Sequence, residues 1–353
     1  MFKIKTQSFG LDISDKFLRI IKLEKKGDNL ILKSFGKTEI PIGVVERGEI
    51  KKIEKLANII KRSLRKINGE RIRTKYVTLS LPEEKSFLDV LRIPILDDKE
   101  IKKTIKFEIE NYIPLGIEQV YFDFEKIKTE KTSKKYQEVL IAAAPKKIVD
   151  PYLQTLKKAG LKPLALEIEC LSTVRALIER NVKVDPLLII DIGEDKTSFI
   201  IFFEGSLRFT STIPISSQTL TKAISKNLKI ELKEAEDIKL KEGIIGKKKI
   251  FDAMIPCLTD LTEQIKSHLA YYHSHSKENG KSKKLEKILI CGSGAKLKGL
   301  VNFLSSNLKI EVEIGNPWVN ILEEDVKEVP KLPFIKSLGY TTALGLALKE
   351  YYD

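Results

Sequence analysis

Apolar residues fall along this chain in two rhythms. One alternates, or runs unbroken for about four to eight positions between turn residues, and marks strands; the other recurs every three or four positions and marks helices with one buried face. The strand rhythm opens at FGLDI, resumes in FLRIIKLE, and continues past a turn at Gly27-Asp28-Asn29 in ILKSFGKTEIP. GEIKKIEKLANIIKRSLRKI then sets Ile53, Leu56, Ile60, Leu64 and Ile67 at helical spacing. KYVTLSLP reads as a strand stopped by Pro82.

The next block alternates the two rhythms, as a small α/β subdomain does. SFLDVLRIP, VYFDFEKI, YQEVLIAAAP and LKPLALEIE read as strands, with the loop KTEKTSKK before the third. LDDKEIKKTIKFEIENYI reads as a helix with Asp97 and Asp98 near its start and Pro114 past its end. KKIVDPYLQTLKKAG reads as a helix closed by Gly160. Beyond it, LLIIDI leads through a tight loop to TSFIIFF and, after Glu204-Gly205-Ser206, to a further strand. SSQTLTKAISKNLKIELKEAEDIKLKEG reads as helical throughout, and IFDAMIPCLTDLTEQIKSHLAYYHSH as one long helix. LEKILICGSGAKLKGLVNFLSSNL reads as strand, glycine turn and helix, and KIEVEIGNP as a strand. KSLGYTTALGLALKEY is a closing helix with small residues at Ala343, Gly345 and Ala347.

An internal echo organises these elements. Setting FGLDISDKFLRIIKLE under LIIDIGEDKTSFIIFF places Asp12 on Asp191 and Ser14 on Gly193, about half the chain length apart. Two related halves, each opening with a strand, an acidic turn and a returning strand, account for the match. A carboxylate and bare backbone at the tip of a buried hairpin cost stability unless something binds there. Tip N–H groups suit phosphate oxygens, and a carboxylate suits Mg²⁺ held through water. Asp12 and Asp191 are therefore expected to face each other across a cleft that takes metal and phosphates, with the Thr197 hydroxyl offered from the returning strand. Gly292, Gly294 and Ala295 follow a strand directly, where glycine lets backbone approach a ligand and a helix start supplies free N–H groups. The full dinucleotide fingerprint and the Walker lysine are missing, and a plain strand-to-helix turn is the competing reading.

Composition narrows the classes. At 353 residues the chain exceeds one ordinary core, so several domains are expected. With 42% hydrophobic and 32% charged residues it is a foldable mixture and not a disordered one. No apolar run approaches the roughly 18 residues of a membrane span, and MFKIKTQSFGLDIS lacks the apolar centre of a signal peptide. A cytoplasmic protein is the expectation. Cys170, Cys257 and Cys291 are far apart and read as small buried apolar residues. His268, His273 and His275 read as a solvated helix end, since no acid or cysteine completes a zinc set. The net charge of +14, carried in runs such as KKIEKLANIIKRSLRKI and KENGKSKKLEK, reads chiefly as solvated surface that favours anionic lipid. No basic segment is interleaved with exposed aromatics, so nucleic acid is not an expected partner.

Duplicated acidic hairpins with a late glycine turn resemble the actin-like ATPase superfamily. At finer grain the whole chain resembles the PilM family, the cytoplasmic actin-like proteins of type IV pilus assembly. The likeness rests on FGLDISDKFLRIIKLE, PIGVVERGEI, EIENYIPLGIEQVYFDF, LIAAAPKKIVDPYLQTLKKAGLKPLALEIE, DIGEDKTSFIIF, AEDIK and ICGSGAKLKGL. It implies an α/β actin-like ATPase fold of duplicated ribonuclease-H-like halves with an inserted subdomain like that of FtsA. The implied divisions are a first-half core at 1–80, the insert at 81–165, a connection and second-half core at 166–217, a helical subdomain at 218–284 and the remaining second-half core at 285–353.

The resemblance further implies ATP and Mg²⁺ as cofactors. Asp12, Ser14, Asp15 and Lys16 would form the first phosphate loop; Asp191, Gly193 and Thr197 the second; Gly292, Gly294 and Ala295 would border the adenosine. Glu236 and Lys239 match a pair that contacts ribose and base, although by sequence alone an exposed helix ion pair is the favoured reading. Asp12 and Asp191 would hold Mg²⁺ through water. The family has glycine where this chain has Ser14, small hydroxyl residues at Asp15 and Lys16, and a glycine pair at Ser216-Ser217; these departures bear on catalysis more than on binding. Glu169, at a strand-to-helix transition, is the candidate for orienting water, or else simply starts its helix near the positive end. ATP binding is expected, with hydrolysis slow or absent. The implied role is an ATP-binding scaffold of the type IV pilus inner-membrane complex, peripheral on the inner face of the cytoplasmic membrane. It would grip the N-terminal cytoplasmic tail of a PilN-like protein between the first subdomain and the insert, with a pilus motor ATPase or platform protein as a further partner. The alternatives are an active ATPase or phosphotransferase of the actin and sugar-kinase superfamily, an FtsA-like filament protein of cell division, and a scaffold whose nucleotide binding has decayed.

Overall fold

The computed structural model describes residues 7–352 except 28, 114, 128–134, 181, 183, 276–284 and 323–329. The Asp28 turn, Pro114, most of the KTEKTSKK loop, most of the KENGKSKKLEK run and the His275 side chain lie outside the described residues.

Two sheets repeat one topology. In the first, Phe9–Ile13, Phe17–Lys26 and Asn29–Glu39 form an antiparallel meander, and Tyr76–Leu81 and then Lys162–Ile168 extend it in parallel on the other side of Phe9–Ile13. In the second, Leu187–Ile192, Thr197–Phe203 and Ser206–Ile213 form the meander, and Lys287–Cys291 and then Glu311–Ile314 extend it in parallel. Leu187–Ile192 and Thr197–Phe203 are buried on both faces, which is why their sequences run apolar rather than alternating. The second meander turns at Glu204 and Gly205, both at positive φ, the geometry a two-residue hairpin requires.

Helix Ile53–Arg65 buries Leu56 and Ile60 on the first sheet, as its spacing predicts. The insert comprises strands Phe87–Pro94, Tyr136–Pro145 and Val120–Ile127, with helix Asp98–Tyr112 burying Ile101, Ile105 and Ile109 on them. Asp97 caps that helix in a reciprocal pair with Glu100. The expected insert of 81–165 includes helix Lys146–Ala159 and most of strand Lys162–Ile168, but both pack elsewhere. Tyr152 and Leu156 join the core of Phe9, Leu11 and Ile60, and the strand pairs with Tyr76–Leu81, so these elements complete the first sheet.

The segment expected to be helical throughout breaks in two. Helices Ser217–Leu228 and Leu232–Glu242 are separated at Lys229, which adopts a left-handed conformation while the Ser225 hydroxyl donates to the Ile230 carbonyl. The long helix is Lys248–His275, and its His268 is not solvated: the ring stacks on core Phe199 at 4.3 Å. The closing helix, Thr341–Tyr352, wedges between the halves, where its small residues are needed: a Cβ on Gly345 would lie 1.7 Å from the Ser172 carbonyl oxygen. Among the described residues no helix is long and apolar enough to cross a membrane.

Candidate functional site

The two sheets point corresponding strand ends at one cavity of about 380 Å³. Asp12 and Asp191 each occupy the penultimate position of the first strand in their meander, and both line this cavity with Ser14, Asp15, Gly193, Glu169 and Gly292. Lys16, Thr197, Glu236, Lys239, Gly294 and Ala295 are not among its lining residues.

The first hairpin is closed by local bonds. The Ser14 N–H donates to the Phe17 carbonyl at 2.9 Å, and the Ser14 hydroxyl bonds the Phe17 backbone. Asp15 accepts from the Arg47 and Gly48 N–H groups at 2.6 and 2.9 Å, and so anchors a neighbouring loop. Asp12 accepts from the Ser80 hydroxyl at 2.9 Å and from Arg19 at 3.4 Å; Arg19 stands opposite it in the hairpin register. Burial raises the Asp12 carboxyl and Glu169 adds to this, while Arg19 and Ser80 hold it back.

The second hairpin is closed by the Gly193 N–H on the Lys196 carbonyl at 2.8 Å, but its side chains reach outward. Asp191 makes no hydrogen bond among the described residues, and burial, then the Glu169 and Asp12 charges, push its carboxyl up to about 7 against Arg19 and Lys196. Glu194 crosses the cleft to Lys37 at 2.8 Å and Arg19 at 3.5 Å. Lys196 crosses it to Glu169, which also accepts from the Glu83 N–H. Glu83 is buried; burial and the Glu169 charge push it up to about 7, with Lys196 and the nearby Thr210 and Ser198 hydroxyls opposing. Lys296 is pushed down to about 8 by burial and by the nearby Lys37, with Glu194 opposing.

The remaining expected site residues have structural work of their own. The Thr197 hydroxyl is fully buried and donates to the Ile215 carbonyl at 2.7 Å, so it does not face the cavity. Lys239 is not half of an exposed pair: its ammonium is buried on Glu236, the Ser217 carbonyl and the hydroxyls of Ser217 and Thr221 at 2.7–2.9 Å. Gly292 has φ +82° and approaches Asp191 so closely that a Cβ would lie 2.2 Å from its carboxylate. Gly294 serves packing, since its Cβ would meet Ile192 at 2.2 Å, and Ala295 is buried beside it. The expected helix does not begin at this turn; a short 3-10 turn, Gly294–Lys296, comes first and the helix is Leu300–Leu308. Cys170 and Cys291 are buried free thiols pushed up by burial, and Cys257 is partly exposed.

An anion fits this cavity. The tip N–H groups of Asp15, Lys16, Glu194 and Asp195 have no intramolecular partner among the described residues, and Arg19, Arg47 and Lys196 stand as positive charges among the acids that line the cavity. A divalent metal held by protein side chains alone does not fit, whereas one carried by phosphate needs only one or two carboxylates. Among the described residues no three acids are grouped to hold one, and of Asp12, Asp191 and Glu169 only Asp191 is left without a hydrogen bond. Ser80, Glu83, Arg19, Lys37, Glu194 and Lys196 were not singled out by the sequence pattern. Arg19, Glu194 and Lys196 had a local signal, as charged residues in strands or turns directly beside the acid tips.

Twin meander-and-parallel sheets that converge on one cleft define the actin-like ATPase fold. The family described as Type IV pilus assembly protein PilM matches residues 10–351, and the chain belongs to that family. Its structure is similar to the PilM-PilN type IV pilus biogenesis complex, with 25% identity, a TM-score of 0.82 and coverage of 98% of this chain and 99% of that one. It shares its fold with MreB 5 of Spiroplasma citri bound to AMPPNP, at 12% identity, a TM-score of 0.56 and coverage of 98% and 96%. The cell division protein FtsA of Borreliella burgdorferi is 24% identical over 225 residues, 56% of this chain and 51% of that protein. FtsA of Neisseria meningitidis serogroup B is 32% identical over 89 residues, 25% of this chain and 22% of that protein. The chain thus spans at most about half the length of these curated relatives.

Proposed function

We propose that this chain is an ATP-binding scaffold of type IV pilus assembly, which grips the cytoplasmic N-terminal tail of a PilN-like inner-membrane protein. The observation that carries the nucleotide part is the convergence of Asp12 and Asp191, from corresponding places in two copies of one topology, on a single cavity with unpartnered backbone N–H groups at both hairpin tips. Asp191 is the acid with a carboxylate left to face a nucleotide-bound cation, and Gly292 brings bare backbone beside it. Family membership and the 25% identity to the PilM of a PilM-PilN complex support the partner.

The tail would lie between the first sheet and the insert, whose Ile95, Phe107, Tyr121 and Tyr136 are exposed large apolar side chains. A nucleotide that closes the cleft biases that grip, a coupling typically worth about 1–3 kcal/mol. The +14 charge suits a peripheral position beside anionic lipid headgroups. Hydrolysis is slow in this reading, because Glu169, the candidate water-orienting acid, is already held by Lys196 and the Glu83 N–H. A pull-down with a PilN-type tail peptide, with and without ATP, tests the reading: retention that changes with nucleotide supports it, and no retention in either condition removes the scaffold role.

A further inference from the structure

The insert belongs to the first half by sequence, yet one of its faces is fastened to the second half. Arg208, just past the Glu204-Gly205 turn, donates to the Glu138 carboxylate of insert strand Tyr136–Pro145 at 2.6 Å. Its Nε–H donates to the Phe203 carbonyl at 3.1 Å and Glu204 stands at 3.4 Å, so the second half holds the guanidinium in place for that pair. Both partners are half-buried. Four residues on from Glu138, and so on the same face of its strand, Ala142 pairs with Leu88 of the neighbouring insert strand. Leu88 and Ala142 pack against the buried cluster that includes Ile200, Phe202 and Leu207 of the second half. The strands that carry this seam also form a wall of the cavity, which Ser198, Ile200 and Thr212 line. Cavity wall and insert contact are therefore parts of one hydrogen-bonded ladder.

We propose that the Arg208–Glu138 pair and the apolar seam beside it clamp the insert to the second half, so that the insert travels with that half when the cleft opens or closes. The chain joins the insert to the first half at both ends, so relative motion of the halves must either carry the insert or break this seam. Carrying it changes the width of the groove between insert and first sheet, where the tail would lie. This rests on the scaffold reading above and names the contact through which cleft and groove act on each other. A clamp that only stabilised the fold would leave the effect of ATP on tail binding unchanged, and this separates the two roles.

The test is titration of a PilN-type tail peptide into the full chain, with and without saturating ATP, with ATP affinity measured separately. In the unaltered protein ATP should change tail affinity by at least about fivefold. Arg208→Ala should shrink that change to within about twofold, while its ATP affinity stays within about threefold of the parent's. Should Arg208→Ala fail to fold, Glu138→Ala decides in the same way, since it leaves the Arg208 bonds within the second half in place. An ATP effect that persists at full size in the variants overturns the clamp and leaves the scaffold reading standing. A parent that binds both ligands without either affecting the other has the same consequence. A parent that fails to bind the peptide, or fails to bind ATP, overturns that part of the scaffold reading and this inference with it.

Discussion

The two acid-tipped hairpins are built alike and finished differently. At the first, Asp12 lies beside Ser80 of the neighbouring parallel strand and takes its hydroxyl hydrogen bond. At the second, the position paired with Asp191 in the neighbouring parallel strand is Cys291, and Asp191 receives no hydrogen bond. The first hairpin therefore spends its polar groups within its own half: Ser14 closes the turn, Asp15 anchors Arg47 and Gly48, and Asp12 is held by Ser80 and Arg19. The second directs Glu194 and Lys196 across the cleft to Lys37, Arg19 and Glu169. Duplicated topology fixes where an acid stands; the residue beside it decides whether that acid is a satisfied brace or an unsatisfied group awaiting a ligand.

The largest test of this asymmetry is a pair of substitutions with opposite signs. Asp12→Ala leaves the buried Arg19 short of a partner and should destabilise the free protein by about 2–3 kcal/mol. Asp191→Asn should stabilise it at pH 8. In the folded chain Asp191 keeps a proton up to about 7, whereas the unfolded chain releases it near the ordinary value of 3.8. Stability is therefore lost as pH rises between those values, and the asparagine removes that loss, a gain of about 1–2 kcal/mol that vanishes below about pH 4. Both variants should weaken ATP binding. Denaturant titration at pH 4, 6 and 8 checks the signs.

Glu83 gives a second, smaller effect of the same kind. Its folded value of about 7 lies above the ordinary 4.5, so ionising it costs stability progressively across that window. Glu83→Gln should stabilise the chain by about 1 kcal/mol at pH 8 and leave it unchanged below pH 4.5. Glu194→Gln should weaken the tie between the halves by about 0.5–1 kcal/mol, with the loss shrinking in high salt because Lys37 is partly exposed. The smallest effect exchanges the neighbours. Cys291→Ser should lower the Asp191 carboxyl by offering it a hydroxyl, and Ser80→Ala should raise that of Asp12. Titration of isotopically labelled aspartate carboxyls by NMR reads both.

Much of this architecture is written in local pattern. The apolar runs around Asp12 and Asp191 gave both meanders, because a buried strand ended by an acid and a tight turn leaves a short, repeatable signature. The helix Ile53–Arg65 and the capped helix after Asp97 follow equally from spacing and cap chemistry. What stayed hidden depends on contacts distant in sequence. The break at Lys229 is stabilised by Ser225 and Ile230, against a helix propensity that would carry on. Lys239 is buried because Ser217 and Thr221 of the preceding helix satisfy its ammonium, which an i,i+3 spacing from Glu236 alone does not reveal. Thr197 has the right residue type at the right hairpin, but its hydroxyl turns to Ile215. The cross-cleft partners of Glu194 and Lys196 come from the other half or the connections, so no window along the chain contains both members of either pair.

Hydrogen–deuterium exchange at the two hairpin tips, with and without ATP, tests the central claim most directly. If phosphates are held between the halves, the amides of residues 15, 16, 194 and 195 gain protection together, in one concentration range. Protection confined to one tip, or slowing at neither tip under conditions where ATP is bound, would contradict the account.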